Sequence, residues 1–215
     1  MAAAIRNDTP DADLFIAPGN PGTARLGTNV PIAADDVARL LRFATDRSIG
    51  LTIVGPEVPL AAGLGDAFAE RGLPLFGPDA AAARIESSKA FAKRLMAEEG
   101  VPTAEFEVFT DAEEAIAHVR SGTVPVVVKA SGLAAGKGAI VCEDRDQAES
   151  AVREVMVERR FGDAGDSLVV EEFMEGEELS VFFLSDGSAA VPLVPSRDHK
   201  RLEEGDRGPN TGGMG

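Results

Sequence analysis

The sequence predicts an α/β protein, and three observations support this class. Short apolar runs that end in glycine and proline alternate with amphipathic stretches, which is typical of strand–helix–strand units in a parallel sheet. Hydrophobic residues make up 44% and charged residues 27% of the 215 residues, a balance typical of a folded chain and not of a disordered one. The length fits one or two domains.

The first predicted unit spans residues 13–78 and contains three strands and two helices. Its strands are the short apolar runs at 14–17, 51–54 and 73–76, each followed by a cluster of turn residues. Asp35 or Asp36 can cap the first helix, and the second helix is predicted around 60–71. The first ten residues show no periodicity. Because ligands of parallel sheets bind beyond the carboxyl ends of strands, the turn clusters are candidate binding loops.

A second unit is predicted at 103–195, after helices at 80–85 and 88–99 that form a linker over residues 79–102. Its strands are predicted at 105–109, 124–130, 139–142, 168–173, 179–184 and 189–194. Its helices are predicted at 111–120 and 144–157. Residues 196–215 begin a further segment, and 208–215 is predicted to be a glycine-rich loop.

Composition excludes several classes of protein. The formal net charge of −15 argues against a nucleic-acid binder, because neutralising phosphates needs a cationic face. The single cysteine, Cys142, excludes an internal disulfide and a multi-cysteine zinc site, and two histidines argue against a histidine-rich metal site. No apolar run approaches the ~20 residues of a membrane span, and no signal-peptide pattern is present. We expect a cytoplasmic protein with small-molecule partners, and a monomer is favoured.

The run from Val126 to Val141 carries the sharpest local signal. Two apolar β runs flank a loop of glycine and alanine that contains Lys137 and follows Lys129. Glycines let backbone N–H groups approach a phosphate, and lysines add compact positive charge. The spacing is not that of a Walker A loop, and a strand follows where a dinucleotide-binding loop would open a helix. We therefore predict a hairpin that covers phosphates; the alternative is a hairpin with an incidental lysine.

Two further runs are weaker signals when taken alone. Residues 171–178 are rich in glutamate and follow an apolar strand, so they can offer backbone groups to a base and a carboxylate to ribose hydroxyls; the alternative is a solvated turn. Residues 196–201, SRDHKR, combine cations with an acid, which suits an anion site or a solvated surface. Cys142 is interpreted as a packing residue and His118 as a surface residue.

Seven motifs together resemble one family. They are APGNPGT (17–23), VGPEVPL (54–60), FGPDAAAARIESSKAFAK (76–93), VVKASGLAAGKGAIV (127–141), VEEFMEGEELS (170–180), SRDHKR (196–201) and GPNTGGMG (208–215). In this order they are similar to the first half of the glycinamide ribonucleotide synthetases, which are phosphoribosylamine–glycine ligases of the ATP-grasp superfamily. The resemblance implies a Rossmann-like (pre-ATP-grasp) N-terminal domain, here partial, followed by an ATP-grasp α+β subdomain.

The resemblance also implies an activity and a set of site residues. The family joins glycine to 5-phosphoribosylamine with ATP, through a glycyl phosphate, in de novo purine biosynthesis, with Mg²⁺ or Mn²⁺. Implied catalytic residues are Lys137, Asp198 and Lys200. Implied ATP-binding residues are Lys89, Lys129, Gly132, Leu133, Ala134, Ala135, Gly136, Lys137, Gly138, Glu171, Glu172, Phe173, Met174 and Glu178. Implied substrate-binding residues are Asn20, Gly22, Thr23, Gly55, Pro56, Glu57, Asp198, His199, Lys200, Asn210, Thr211, Gly212 and Gly213.

The sequence departs from the family pattern in several places. Residues 1–12 lack the family's opening glycine loop, Ser131 stands where aspartate is usual, and Arg197 stands where glutamine is common. No metal ligand is assigned within the chain, and the family's acidic metal ligands are expected beyond Gly215. We therefore expect a fragment without ligase activity whose 80–195 region still binds adenine nucleotide weakly. Two alternatives remain: a nucleotide-binding chain that is not an enzyme, or another ATP-grasp carboxylate–amine ligase.

Overall fold

A computed structural model describes residues 1–134, 136–197, 199, 201–205 and 207–211, with the backbone alone described at 201 and 207–210. The chain divides into two compact units, Met1–Ser87 and Ser88–Gly215. Within the described residues, no helix is long and apolar enough to cross a membrane.

The first unit alternates short strands with helices. Its elements in chain order are α1 (Ala2–Asp8), β1 (Phe15–Ile16), a 3-10 turn (Thr23–Arg25), β2 (Thr28–Asn29), α2 (Val37–Asp46), β3 (Thr52–Ile53), α3 (Glu57–Ala61), α4 (Leu64–Glu70), β4 (Leu75–Phe76) and α5 (Ala80–Ser87). β1 pairs with β2, and β3 pairs with β4, both in parallel. Ala44, Leu64 and Phe68 form the centre of the core of this unit.

Three local features of this unit can be compared with what the sequence predicts. The capping prediction for α2 is confirmed at Asp36, whose carboxylate accepts a hydrogen bond of 3.1 Å from the Arg39 N–H. The helix predicted around 60–71 is instead two helices, because Gly63 interrupts it with a positive φ of 89°. The first ten residues, which show no periodicity, contain helix α1, and Arg6 Nε donates to the Leu26 carbonyl at 3.0 Å.

The second unit is built on a four-stranded antiparallel sheet. Its elements are α6 (Lys89–Glu98), β5 (Phe106–Phe109), α7 (Ala112–Ser121), β6 (Val126–Ala130), β7 (Ala139–Cys142), α8 (Arg145–Val152) with a π-helical turn (Arg153–Val157), a 3-10 turn (Gly162–Gly165), β8 (Leu168–Glu172), β9 (Phe183–Ser185), β10 (Ala190–Pro192), β11 (Arg201–Glu203) and β12 (Arg207–Asn210). The sheet order is β5–β8–β6–β7. β9 with β10 and β11 with β12 form antiparallel pairs.

The two faces of this sheet differ in chemistry, because side chains alternate along a strand. One face presents Val128, Ala130, Leu168 and Val170 to a core that includes residues of α7 and α8. The opposite face carries Lys129 and Glu171. The predicted loop at 208–215 is corrected in its first part, because residues 207–210 form β12 against β11.

Candidate functional site

The register of β6 against β8 places Lys129 diagonally across from Glu171. Lys129 pairs with Val169, and Glu171 pairs with Val127, so both charged side chains project from the same face. Lys129 Nζ donates a hydrogen bond of 2.8 Å to Glu171 Oε2. The Glu171 side chain is only 5% exposed, whereas that of Lys129 is 27% exposed. Two predicted ATP-binding residues therefore form one partly buried ion pair.

A third charged residue, Lys93 of α6, completes this cluster. Its Nζ lies 3.2 Å from the same Glu171 Oε2 and also donates to Thr103 Oγ1 at 2.7 Å and to the Ala104 carbonyl at 3.3 Å. The ammonium lies 5.5 Å from the centre of the Phe106 ring. One buried carboxylate oxygen is thus shared by two lysines, which balances the cost of burying its charge.

Sequence reasoning missed Lys93, although the sequence contains a signal for it. Of the 21 lysines and arginines, only five are lysines, at positions 89, 93, 129, 137 and 200. The other four were already predicted site residues. Arginine therefore supplies the cations of the remaining surface, and a lysine in this chain is itself unusual. The one lysine left outside the prediction proves to contact the predicted site.

The start of the glycine loop is attached to the start of α6. The Lys89 N–H donates to the Ser131 carbonyl at 2.8 Å, and the Ala90 N–H donates to Ser131 Oγ at 3.0 Å. The next N–H, of Phe91, donates to the hydroxyl of the capping residue Ser88 at 3.3 Å. The first three donors of the helix are therefore satisfied within the protein.

A second set of contacts, made by Lys89 and Gly132, also connects α6 to the start of the glycine loop. Lys89 Nζ donates to the Gly132 carbonyl at 3.1 Å, and the Gly132 N–H donates to the Ala164 carbonyl at 3.0 Å. A Cβ at Gly132 would lie 2.6 Å from Ala164 Cα, so only glycine allows this approach. The structure thus brings Lys89, Lys129 and Gly132, three predicted ATP-binding residues, around the end of β6.

The rest of the loop is more open. Leu133 and Ala134 are half-buried, and Gly136 and Lys137 are exposed. Gly136 has a φ of +75°, a conformation that favours glycine, and the Lys137 N–H closes a turn on the Ala134 carbonyl. Gly138 is buried and accepts from the Ala130 N–H. The predicted residue Ala135 lies outside the described residues.

The predicted nucleoside segment continues from β8. Glu172 Oε1 accepts a hydrogen bond of 3.0 Å from the Glu105 N–H, and the Glu172 N–H donates back to the Glu105 carbonyl at 3.0 Å. The side chain of Glu172 therefore fixes the edge of the sheet. Phe173 and Met174 follow, 39% and 65% exposed, and Glu178 is exposed further along. Exposed apolar side chains that follow the end of β8 suit a base that stacks.

In the first unit, the loop after β1 is organised by asparagine side chains. Asn20 Oδ1 accepts from the N–H groups of Gly22 and Thr23 at 2.8 and 3.0 Å. Thr23 Oγ1 donates to Asn29 Oδ1 at 2.8 Å, and Asn29 Nδ2 donates to the Asn20 carbonyl at 2.8 Å. The three predicted substrate residues form one loop, and Asn29, which the sequence analysis did not single out, supports it.

Gly55, Pro56 and Glu57 lie where the sequence analysis placed them, after the end of β3. Gly55 and Pro56 are exposed, and Glu57 begins α3. A cavity of about 200 Å³ elsewhere in this unit is lined by Gly65, Ala69, Leu73, Leu75, Gly77 and Asp79, none of which is a predicted site residue.

The last predicted residues are described only in part. Asp198, Lys200, Gly212 and Gly213 lie outside the described residues. His199 is exposed, and Thr211 is half-buried. Arg201, the last residue of the SRDHKR run, pairs with Asn210 of the GPNT run in the β11–β12 hairpin. Within the described part of the chain, no group of three or more His, Cys, Asp or Glu could hold a metal ion.

Comparison with known proteins identifies the family to which both units are similar. A family model described as phosphoribosylglycinamide synthetase, N domain, matches residues 1–86, and one described as phosphoribosylglycinamide synthetase, ATP-grasp (A) domain, matches residues 87–215. The phosphoribosylamine–glycine ligase of Yersinia pestis is 53% identical over 210 residues, an alignment that covers 96% of this chain and 49% of that protein. The chain spans about half the length of the curated relatives it matches.

Solved structures give the same result for the fold. The phosphoribosylamine–glycine ligase of Thermotoga maritima superposes with a TM-score of 0.80 at 32% identity, covering 99% of this chain and 51% of that one. The N5-carboxyaminoimidazole ribonucleotide synthetase of Thermus thermophilus superposes with a TM-score of 0.68 at 20% identity, covering 92% and 51%, which bears on the fold alone. The predicted α/β class with an ATP-grasp second part is confirmed.

Proposed function

This chain belongs to the phosphoribosylglycinamide synthetase family, and from that premise we propose that it acts in the ATP-dependent ligation of glycine to 5-phosphoribosylamine. The product is glycinamide ribonucleotide, an intermediate of de novo purine biosynthesis. Because the chain spans about half the length of its curated relatives, we assign to it the binding of ATP and part of the binding of the other two substrates.

The chemistry explains why binding and positioning dominate. A glycine carboxylate is a poor electrophile, so one of its oxygens first attacks the γ-phosphorus of ATP, and ADP leaves. The amine nitrogen of the phosphoribosylamine then attacks the carbonyl carbon of the glycyl phosphate, and inorganic phosphate leaves as the amide forms. No covalent protein nucleophile takes part, so catalysis depends on alignment of the reactants and on cations beside the phosphates.

One observation supports the ATP-binding proposal: two lysines lie at the start of the glycine loop, Lys129 in β6 and Lys89 of α6, whose Nζ donates to the Gly132 carbonyl. Lys129 and Lys89 are half-buried, and Lys137 extends from the exposed part of the loop. We propose that these three ammonium groups contact the phosphates, while Phe173, Met174 and Glu178 hold the base and ribose. The carboxylate of Glu171 keeps Lys129 in place before the nucleotide arrives.

The substrate loops support a second part of the proposal. Asn20 uses its amide oxygen to hold two backbone N–H groups, so its contribution is to shape the loop that faces the amine substrate. Gly55, Pro56 and Glu57 form the next loop, and residues 198–200 and 210–213 supply the third group. Among the described residues, no carboxylate cluster fits Mg²⁺ or Mn²⁺, so no step here is assigned to a metal.

Titration calorimetry tests the nucleotide proposal. ATP is titrated into the full chain, into a Lys129→Ala variant and into Arg94→Ala, which removes an exposed cation of α6 as a matched control. Loss of one charge-assisted phosphate contact should weaken ATP binding by about tenfold to a hundredfold in Lys129→Ala. Arg94→Ala should bind like the parent. Equal affinity in all three proteins would contradict the role of Lys129.

A further inference from the structure

We propose that Lys93 is a positioning residue that neutralises Glu171, so that Lys129 can leave this carboxylate and contact a phosphate. The inference rests on the proposed nucleotide-binding function and adds to it a residue that never touches the ligand. It starts from the observation that Glu171 Oε2 is shared by two lysines whose surroundings differ.

Lys93 is fixed in place. Its ammonium donates hydrogen bonds to Thr103 Oγ1 and to the Ala104 carbonyl, and it forms an ion pair with Glu171 Oε2. The side chain is only 9% exposed, and the Phe106 ring lies beside its ammonium. Movement of this ammonium towards a ligand would break two hydrogen bonds and an ion pair at once.

Lys129 is held much less firmly. Among the described residues, the one acceptor given to its Nζ is Glu171 Oε2, at 2.8 Å, so two of its three donors can serve a ligand. Its side chain is 27% exposed, and the residue lies in β6 just before the glycine loop. Of the two lysines, Lys129 is the one that can turn towards a phosphate.

The charge of Glu171 decides whether that turn is possible. A carboxylate that is 5% exposed cannot be left without a partner, because burying an unpaired charge costs far more than an ion pair gains. With Lys93 present, Glu171 keeps a cation after Lys129 has moved. Without Lys93, Glu171 depends on Lys129 alone and competes with the phosphate for it.

Three variants of the full chain separate this role from simple structural support. Lys93→Met removes the charge at similar length, Lys93→Met/Glu171→Gln removes both charges, and Arg94→Met makes the same change at an exposed position of α6. Calorimetry compares ATP with adenosine, which has the base and ribose but no phosphate. We expect Lys93→Met to weaken ATP binding by about tenfold and adenosine binding by less than about twofold. In the double variant, ATP binding should be much closer to that of the parent than in Lys93→Met, because Glu171 no longer competes for Lys129.

A second measurement needs no ligand. The chain has five lysines, so acylation by an amine reagent can be followed at each of them by peptide mass spectrometry. Lys129 should react more slowly in Lys93→Met than in the parent, since Glu171 then holds it alone, and faster again in the double variant. Arg94→Met should match the parent.

The outcomes are distinct. If Lys93→Met weakens ATP and adenosine equally, or leaves the acylation rate of Lys129 unchanged, the positioning role is overturned. If the acylation pattern is as expected but the parent binds no ATP, the nucleotide-binding proposal fails while the lysine pairing stands. If Lys93→Met does not fold, the Glu171→Gln variant tests the same ion pair. Lys129 should then be acylated faster than in the parent, and an unchanged acylation rate overturns the proposal.

Discussion

Ser131 Oγ accepts a hydrogen bond of 3.0 Å from the N–H of Ala90. This contact joins the end of β6, where the glycine loop starts, to the first turn of α6. Because the Ser131 carbonyl also accepts from the Lys89 N–H, one residue satisfies two of the donors at the start of the helix. The start of the glycine loop is therefore attached to α6.

Replacing Ser131 by alanine should destabilise the second unit by about 1–3 kcal/mol, because the buried Ala90 N–H loses its acceptor. The chain contains no tryptophan or tyrosine, so unfolding in urea is best followed by far-ultraviolet circular dichroism. Ser150→Ala, at an exposed position of α8, is the control and should change the midpoint little. Equal midpoints for the two variants would contradict the capping role.

Backbone amides at the start of the glycine loop should exchange with solvent more slowly than those in its middle. The N–H groups of Ser131 and Gly132 donate to the carbonyls of Ser167 and Ala164, so both should exchange slowly in the absence of nucleotide. Gly136 is exposed and should exchange much faster. Backbone amide exchange followed by NMR resolves the three positions. Exchange of Ser131 as fast as that of Gly136 would show that the loop is not attached at its start.

Gly132→Ala should destabilise the second unit by about 1–3 kcal/mol through overpacking. A Cβ there would lie 2.6 Å from backbone Ala164 Cα, which cannot give way as the end of a flexible side chain can. Gly50→Ala is the matched control, since nothing lies within 4 Å of its Cβ. Urea midpoints measure both changes, and a Gly132 variant as stable as the Gly50 variant would argue against close packing at this point.

Burial raises the pKa of the Cys142 thiol from its ordinary value of 9.0 to about 11, and the nearby Asp144 charge adds to the effect. A folded-state pKa above the unfolded one gives stability that is complete below pH 9 and is lost as the pH rises towards 11. Cys142 should therefore resist alkylation by iodoacetamide at pH 8 until the chain is unfolded in urea. Cys142→Ala should reduce the decline in stability between pH 9 and 11; an identical decline would refute the assignment.

The sequence predicts the second unit better than the first, for a physical reason. Val126–Ala130 and Leu168–Glu172 are apolar runs buried in the sheet, so composition alone identifies them as strands. The two-residue strand Thr28–Asn29 has no such pattern, and it exists because its backbone pairs with Phe15–Ile16. Likewise, Gly63 divides one amphipathic helix into two through its backbone conformation, which the periodicity of the side chains does not reveal.

The candidate site was predicted residue by residue, but its pairing was not. Lys129 and Glu171 were both predicted as ATP-binding residues, yet no local pattern indicates that they share an ion pair across 42 positions. Lys93 lay in a helix where a lysine ordinarily faces water. Only the tertiary arrangement, in which α6 covers this face of the sheet, shows that its ammonium is buried.

The single lysine of β6 also fixes the register in which the sheet assembles. If β6 slipped by one residue against β8, Lys129 would turn into the apolar layer beneath α7 and α8, and Val128 would face the carboxylate of Glu171. The shifted register would bury the charge of Lys129 without a partner and would separate it from Glu171, so it is less stable than the native one. The residues proposed to bind phosphate therefore also specify the register of the strands.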